Sequence, residues 1–271
     1  RGDAATVIMD YNGNTVIHPN TIERSLIVNS NEGGEYDIAV KPLDNALARS
    51  DGMVSIPLEN VYINNNREDV FIRYNEYSNL LQRTELGGIP RQLVAKVRDY
   101  GMVPAGTYNL NFEIQTRDSD TQVVSGTSVF NLQFVVPTVQ EINFHGETAR
   151  ISIGANDAFA TNKKITSETS PMLYINSNCD WILTLDTDRF GDAVGNYYIR
   201  TISASPDIKE RLQERVLIEP GKEIIIARGQ APANNQYVAI ECSVEGRDGK
   251  IIPAGHYQNY LRFKLNEDRG R

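Results

Sequence analysis

Pro104-Ala105-Gly106-Thr107-Tyr108 opens the run Asn109-Leu110-Asn111-Phe112-Glu113-Ile114, in which every second residue is apolar. Proline fixes the approach to the turn and glycine permits a positive φ there. The alternation that follows is the period of a half-buried β-strand. A tyrosine at the start of such a strand buries its ring while its hydroxyl bonds back to the turn, the arrangement of a tyrosine corner. The same pattern returns at Pro253-Ala254-Gly255-His256-Tyr257, 149 positions on, ahead of Leu261, Phe263 and Leu265. Gly106, Tyr108, Gly255 and Tyr257 are therefore read as scaffold residues of two equivalent strand entries.

A second landmark keeps nearly the same spacing. Leu26-Ile27-Val28-Asn29-Ser30-Asn31 matches Leu173-Tyr174-Ile175-Asn176-Ser177-Asn178, 147 positions on. Beyond it Tyr36, Ile38 and Val40 alternate with polar residues, as do Trp181, Leu183 and Leu185, and at that offset Tyr36 falls on Leu183 and Ile38 on Leu185. Two landmarks with one separation indicate a duplication. Further strands are expected at 6–10, 54–63, 93–98, 127–136, 150–153, 196–204, 223–227 and 237–245, separated by Asn, Gly, Asp and Pro. Helical composition is confined to 207–215, read as one short connecting helix or turn. The fold class that follows is all-β, two tandem immunoglobulin-like β-sandwich domains covering 1–136 and 137–271, with the boundary at Pro137.

Composition narrows the function. An apolar fraction of 40% and a charged fraction of 23% allow a core in each half. A net charge of −8 opposes nucleic acid and anionic membrane surfaces, which need clustered Lys and Arg. No apolar run reaches the roughly 20 residues of a membrane span, and Arg1-Gly2-Asp3 begins no signal-peptide core, so an exported chain has already lost its signal.

Chemistry-bearing clusters are sparse. His18, His145 and His256 stand singly, without metal-ligand spacing, and no nucleophile elbow, Walker loop or dinucleotide fingerprint occurs. Asp186 and Asp188 alternate with the apolar face of Leu183 and Leu185 and are read as a solvated face rather than as glycosidase carboxylates or a calcium site. No cofactor is expected. Arg1-Gly2-Asp3 is a tripeptide that some integrins bind, here read as coincidence or a processing scar. The 13 tyrosines are read mainly as packing residues, with stacking on sugar rings as the alternative. Cys179 and Cys242 fall on the apolar parity of their strands, with Trp181 and Leu183 and with Ile240 and Val244, and are expected to close an intradomain disulfide.

The Ser177-Asn178-Cys179-Asp180-Trp181 stretch, the strand Ile56-Pro57-Leu58 and the closing Pro-Ala-Gly-x-Tyr entry together resemble the spore coat protein U and archaic chaperone–usher pilin group. The first half departs from that pattern in carrying Gly34 where the second has Trp181. The resemblance implies an exported immunoglobulin-like subunit of a surface fibre or coat, with other subunits as partners. The expected role is therefore non-catalytic, structural or adhesive, at the bacterial envelope or surface, and a glycan-binding accessory module is the alternative. One asymmetry bears on assembly. After its Tyr108 strand the first copy has a further alternating strand at 127–136, whereas the second ends soon after its Tyr257 strand. A strand is missing from the second sheet, to be supplied by the chain's own N-terminal segment or, slightly favoured, by another subunit. Residues 4–10 are otherwise assigned to the first domain.

Overall fold

The computed structural model describes residues 5–12, 21–28, 33–85, 90–98, 103–146, 148–159, 163–187, 190, 194–247 and 250–270. The chain is nearly all β. Its strands are β1 (Ala5–Asn12), β2 (Thr21–Val28), β3 (Glu35–Pro42), β4 (Ala46–Arg49), β5 (Ser55–Pro57), β6 (Val61–Asn64), β7 (Asp69–Phe71), β8 (Ser78–Glu85), β9 (Arg91–Arg98), β10 (Gly106–Asp118) and β11 (Val124–Val136). They continue with β12 (Gln140–His145), β13 (Ala149–Ile153), β14 (Ile165–Thr166), β15 (Met172–Ser177), β16 (Trp181–Leu185), β17 (Gly195–Ala204), β18 (Glu210–Arg211), β19 (Val216–Leu217), β20 (Ile224–Gly229), β21 (Ala233–Gly246) and β22 (Gly255–Glu267). The described residues include one helical turn, α1 (Ala155–Ala158), and a 3-10 turn at Leu58–Asn60.

Two compact units divide the chain, and one of them is discontinuous. His18–Pro137 forms one, while Arg1–Ile17 joins Thr138–Arg271 in the other. The expected division put the strand Ala5–Asn12 with the first half, whereas it lies with the second. The reason is strand pairing: β1 lies antiparallel to β13 and parallel to β22, both from the C-terminal half.

Each unit places two sheets around one hydrophobic core. In His18–Pro137 the sheets run β5-β4-β10-β3-β8, with β11 on the other side of β10, and β2-β9-β6-β7. Alternate residues such as Ile38, Val40, Leu93, Phe112 and Phe134 meet between them. In the other unit the orders are β13-β1-β22-β16-β20-β18 and β12-β15-β21-β17-β19, with β14 on β21. Val7, Met9, Leu173, Trp181, Ile240 and Phe263 are among its core residues.

The two strand orders correspond. The run β8-β3-β10-β11 matches β20-β16-β22-β1, and β2-β9-β6-β7 matches β15-β21-β17-β19. Every matched neighbour pair is antiparallel except one, β1 with β22, which is parallel. The missing strand expected in the second copy is filled from the same chain, so the slight preference for another subunit is overturned in this structure.

Of the short helix or turn expected at 207–215, the structure has the turn, followed by the two-residue strand β18, and no helix. Leu212 explains it: its carbonyl accepts from the Thr201 amide at 2.7 Å and its amide donates to the Ile226 carbonyl at 2.8 Å. Those backbone groups are committed to neighbouring strands and cannot close helical bonds.

Candidate functional site: the strand position filled by the N-terminal segment

The site begins with the alternation in Ala5-Thr6-Val7-Ile8-Met9. Ala5, Val7 and Met9 point inward and are buried at 1%, 0% and 0% exposure. Across β22 they face Gly255, Tyr257 and Asn259, and across β13 they face Ile153, Ile151 and Ala149. Ladder bonds therefore reach β1 from both sides, and its apolar face closes the core over Leu261 and Phe263.

The other unit shows what this position demands. There β11 lies on β10 with Val136, Phe134 and Leu132 opposite Gly106, Tyr108 and Leu110, and all three are buried. Gly106, Tyr108 and Leu110 lie 149 positions before Gly255, Tyr257 and Asn259. Ala5, Val7 and Met9 thus stand where Val136, Phe134 and Leu132 stand, on a strand running the other way. A sheet needs inward apolar groups every second residue and a bonding edge, and either direction meets both requirements.

The matched strand entries share their chemistry. Tyr108 Oη donates to the Pro104 carbonyl at 2.5 Å and Tyr257 Oη to the Pro253 carbonyl at 3.0 Å, the bond back to the turn read from the sequence. Tyr108 is fully buried, whereas Tyr257 is half-buried. Gly106 and Gly255 adopt φ of +145° and +151°, which L side chains rarely do. A Cβ on Gly106 would lie 2.7 Å from Arg49 Cδ, and one on Gly255 would lie 3.2 Å from Tyr257 Oη. Gly106→Ala and Gly255→Ala are each expected to cost about 1–3 kcal/mol in denaturant unfolding. An alanine at either site with unchanged stability would remove the glycine's stated role.

Trp181 is fully buried, which takes away the exposed sugar platform it would otherwise have offered. Its Nε1 donates to Gln236 Oε1 at 3.1 Å, and Gln236 Nε2 donates to Asp207 Oδ2 at 2.6 Å. The indole lies against Gly229, whose added Cβ would fall 2.4 Å from ring carbons. Sequence reading singled out the tryptophan and missed Gly229 and Gln236, because both belong to strands joined to it only in space.

The sulfurs of Cys179 and Cys242 are not bonded to each other, so the expected disulfide is not formed in this structure. Apolar parity places a side chain on a face but says nothing about distance along the strand. Ser177, just before Cys179, pairs with Ala233, while Cys242 lies nine residues farther along β21. That is roughly 25–30 Å at strand rise, far beyond the Cα separation of about 7 Å that a disulfide allows. Cys179 sits in the bend before β16, its sulfur 3.5 Å from Gln140 Nε2 and 3.6 Å from Ser177 Oγ, and burial raises its pKa. Cys242 is buried within β21. Native protein is expected to alkylate slowly at Cys179 and at Cys242 only on unfolding, as peptide mass mapping would read. A linked pair of peptides under non-reducing conditions would contradict this.

Asp186 is held as a carboxylate by Lys264 Nζ at 2.7 Å and Arg262 at 3.5 Å, and its pKa is lowered, the Lys264 hydrogen bond first among the causes. Asp188, His18 and Arg1-Gly2-Asp3 lie outside the described residues. His145 packs edge-on to Tyr174 at 4.8 Å, and His256 is exposed on β22. Among the described residues no three His, Cys, Asp or Glu side chains gather to hold a metal ion, and no helix is long and apolar enough to cross a membrane.

No protein-family model matches the chain, and no curated protein matches it. Among solved structures it is similar to the CupB6 tip adhesin from Pseudomonas aeruginosa, at 10% identity and a TM-score of 0.33, over 92% of this chain and 91% of that one. It is also similar to the enterotoxigenic E. coli adhesin CfaE, at 7% identity and a TM-score of 0.30, over 100% and 99%. The C-terminal domain of the Streptococcus agalactiae antigen I/II polypeptide BspA aligns at 10% identity and a TM-score of 0.22, over 97% and 96%.

Proposed function

We propose that this chain is a non-catalytic structural or adhesive protein of the bacterial cell envelope or surface, a subunit of a pilus, fibre or coat. In this reading it consists of two immunoglobulin-like units related by duplication, and other subunits or surface proteins are its partners. The observation that carries the reading is β1. One unit completes its sheet with the hairpin strand β11, and the other takes a strand from a distant part of the chain at the same position. A sheet built to receive a separate segment is a sheet that pairs by strand addition, and strand addition joins subunits as readily as it closes one.

Other features agree with a scaffold. The glycine–tyrosine entries, the buried tryptophan and the ion-paired Asp186 all serve packing or solvation. The three rings His145, Tyr174 and Tyr237 stand at interplanar angles of 76° and 49°, so they give no flat surface for a sugar.

Protease shaving and antibody labelling of intact cells of the source organism test the proposal. The expected result is surface labelling that is lost on shaving, with the protein recovered in high-molecular-weight sheared material. Recovery only from the cytoplasmic fraction would end it.

A further inference from the structure

Where the two sheets of His18–Pro137 part, a cleft of about 690 Å³ lies between β8 and Glu35 on one side and the β6–β7 turn with the start of β9 on the other. That volume falls within the range of about 300–1,000 Å³ usual for ligand sites. The composition does not follow the usual pattern, which is mostly apolar. Here Leu80 is buried, Leu81 is half-buried, and the rest of the described lining is polar or charged.

Local bonds hold the walls in shape. Asn65 Oδ1 accepts from the amides of Arg67 and Glu68 at 3.0 and 2.9 Å, and its side-chain amide donates to the Leu80 carbonyl at 2.7 Å, which ties the turn to β8. Asn66, at φ +73°, donates from its side chain to the Gln92 carbonyl at 3.2 Å. Across the cleft Arg83 has φ +43°, a region that long side chains rarely adopt. Its amide donates to Asp37 Oδ1 at 3.0 Å, and its guanidinium reaches Glu35 and Asp120 at 3.2 and 3.1 Å. Strained backbone of this kind persists where surrounding contacts impose it, and it gathers at binding sites. Arg91 donates through Nε and Nη2 to the Glu85 carbonyl at 3.3 and 3.1 Å. The exposed side chains of Arg67 and Glu68 make no hydrogen bond or ion pair among the described residues.

We propose that this cleft binds an uncharged oligosaccharide through hydrogen bonds. Each sugar hydroxyl both donates and accepts, and the lining offers both: N–H groups at Arg67 and Arg91, carboxylates at Glu68 and Glu85, and the amide of Gln82, which does either. Charge decides against other ligands. Three arginines and three glutamates share the described lining, so an anion meets the glutamates and a cation the arginines, while an uncharged polyol meets charges that sum to zero. An extended peptide is opposed by β8 itself, whose pairing with β3 shifts register twice and whose Leu80 carbonyl is taken by Asn65. Walls already fixed need not be ordered on binding, which lowers the cost of association. No aromatic ring lines the cleft among the described residues, so selectivity rests on the placing of hydroxyls and not on stacking. The cleft lies within one unit, and its chemistry does not depend on the proposed surface role.

A glycan array carrying neutral, sialylated and sulfated oligosaccharides, probed with the biotinylated full chain clustered on streptavidin, tests it. Binding should favour neutral glycans. When the strongest of these is titrated against isotope-labelled chain, NMR shift changes should centre on 65–68, Gln82 and Arg91. The Arg67→Ala, Glu68→Ala variant should bind it about tenfold or more weakly, with an unchanged thermal midpoint because both side chains are exposed and unbonded. Gln82→Ala, on the opposite wall, should weaken binding as well and guards against a local defect in the turn. An array on which no glycan binds, a preference for sialylated or sulfated glycans, shift changes centred elsewhere, or variants that bind like the wild type would overturn the proposal.

Discussion

Deletion of residues 1–12 is expected to unfold the unit formed by 138–271 while leaving 18–137 folded. The deletion strips Val7 and Met9 from the core, and burial of two such side chains contributes about 3–6 kcal/mol. It also removes the backbone bonds of β1 to both β13 and β22. Against a typical domain stability of about 5–15 kcal/mol, that loss removes most of the margin. Hydrogen exchange read by mass spectrometry should show protection lost across β16, β21 and β22 and kept across β3, β9 and β10. A synthetic peptide of residues 1–12, added in excess, should restore protection by mass action. Retained protection of 138–271 without any peptide would mean that β1 is an ornament of the sheet.

The second large effect lies at the tryptophan. Trp181→Ala is expected to cost about 3–5 kcal/mol through lost transfer energy and the cavity left behind. Gly229→Ala should also destabilise strongly, because its methyl would enter the indole at 2.4 Å. The two should not add: with the ring gone, the methyl at position 229 has room, and the double variant should be more stable than the sum of single losses predicts. Equilibrium unfolding of the four proteins reads the coupling. Additive losses would place the Gly229 defect somewhere other than the ring.

How far these features could be read from sequence follows from the range of the interaction involved. The paired entries at Gly106–Tyr108 and Gly255–Tyr257 are local, since a turn, a positive φ and a hydroxyl bonding four residues back fit within five positions. That the strand after Tyr257 needs a neighbour was also visible, because its alternation of Leu261, Phe263 and Leu265 repeats that of the Tyr108 strand. Which segment fills the gap was not. The alternation of Ala5, Val7 and Met9 suits any half-buried sheet position, and nothing in an eight-residue strand names a partner some 250 residues away. The cysteines failed for a related reason, since parity fixes a face but not a distance. At 207–215 local composition favoured a helix, and the backbone groups of Leu212 were taken by Thr201 and Ile226 instead.

Cross-linking in register tests most directly whether β1 completes the sheet of its own chain. Ile8 and Gln258 are partners across the parallel β1–β22 pair. Paired Cα atoms on neighbouring strands lie about 5 Å apart, within the range a disulfide spans. The Ile8→Cys, Gln258→Cys protein, with Cys179→Ala and Cys242→Ala to remove the native thiols, should oxidise at low concentration to a disulfide within one chain. It should run as a monomer on a non-reducing gel, with the two peptides joined in the digest. Failure to cross-link, or cross-linking only between chains, would contradict the account.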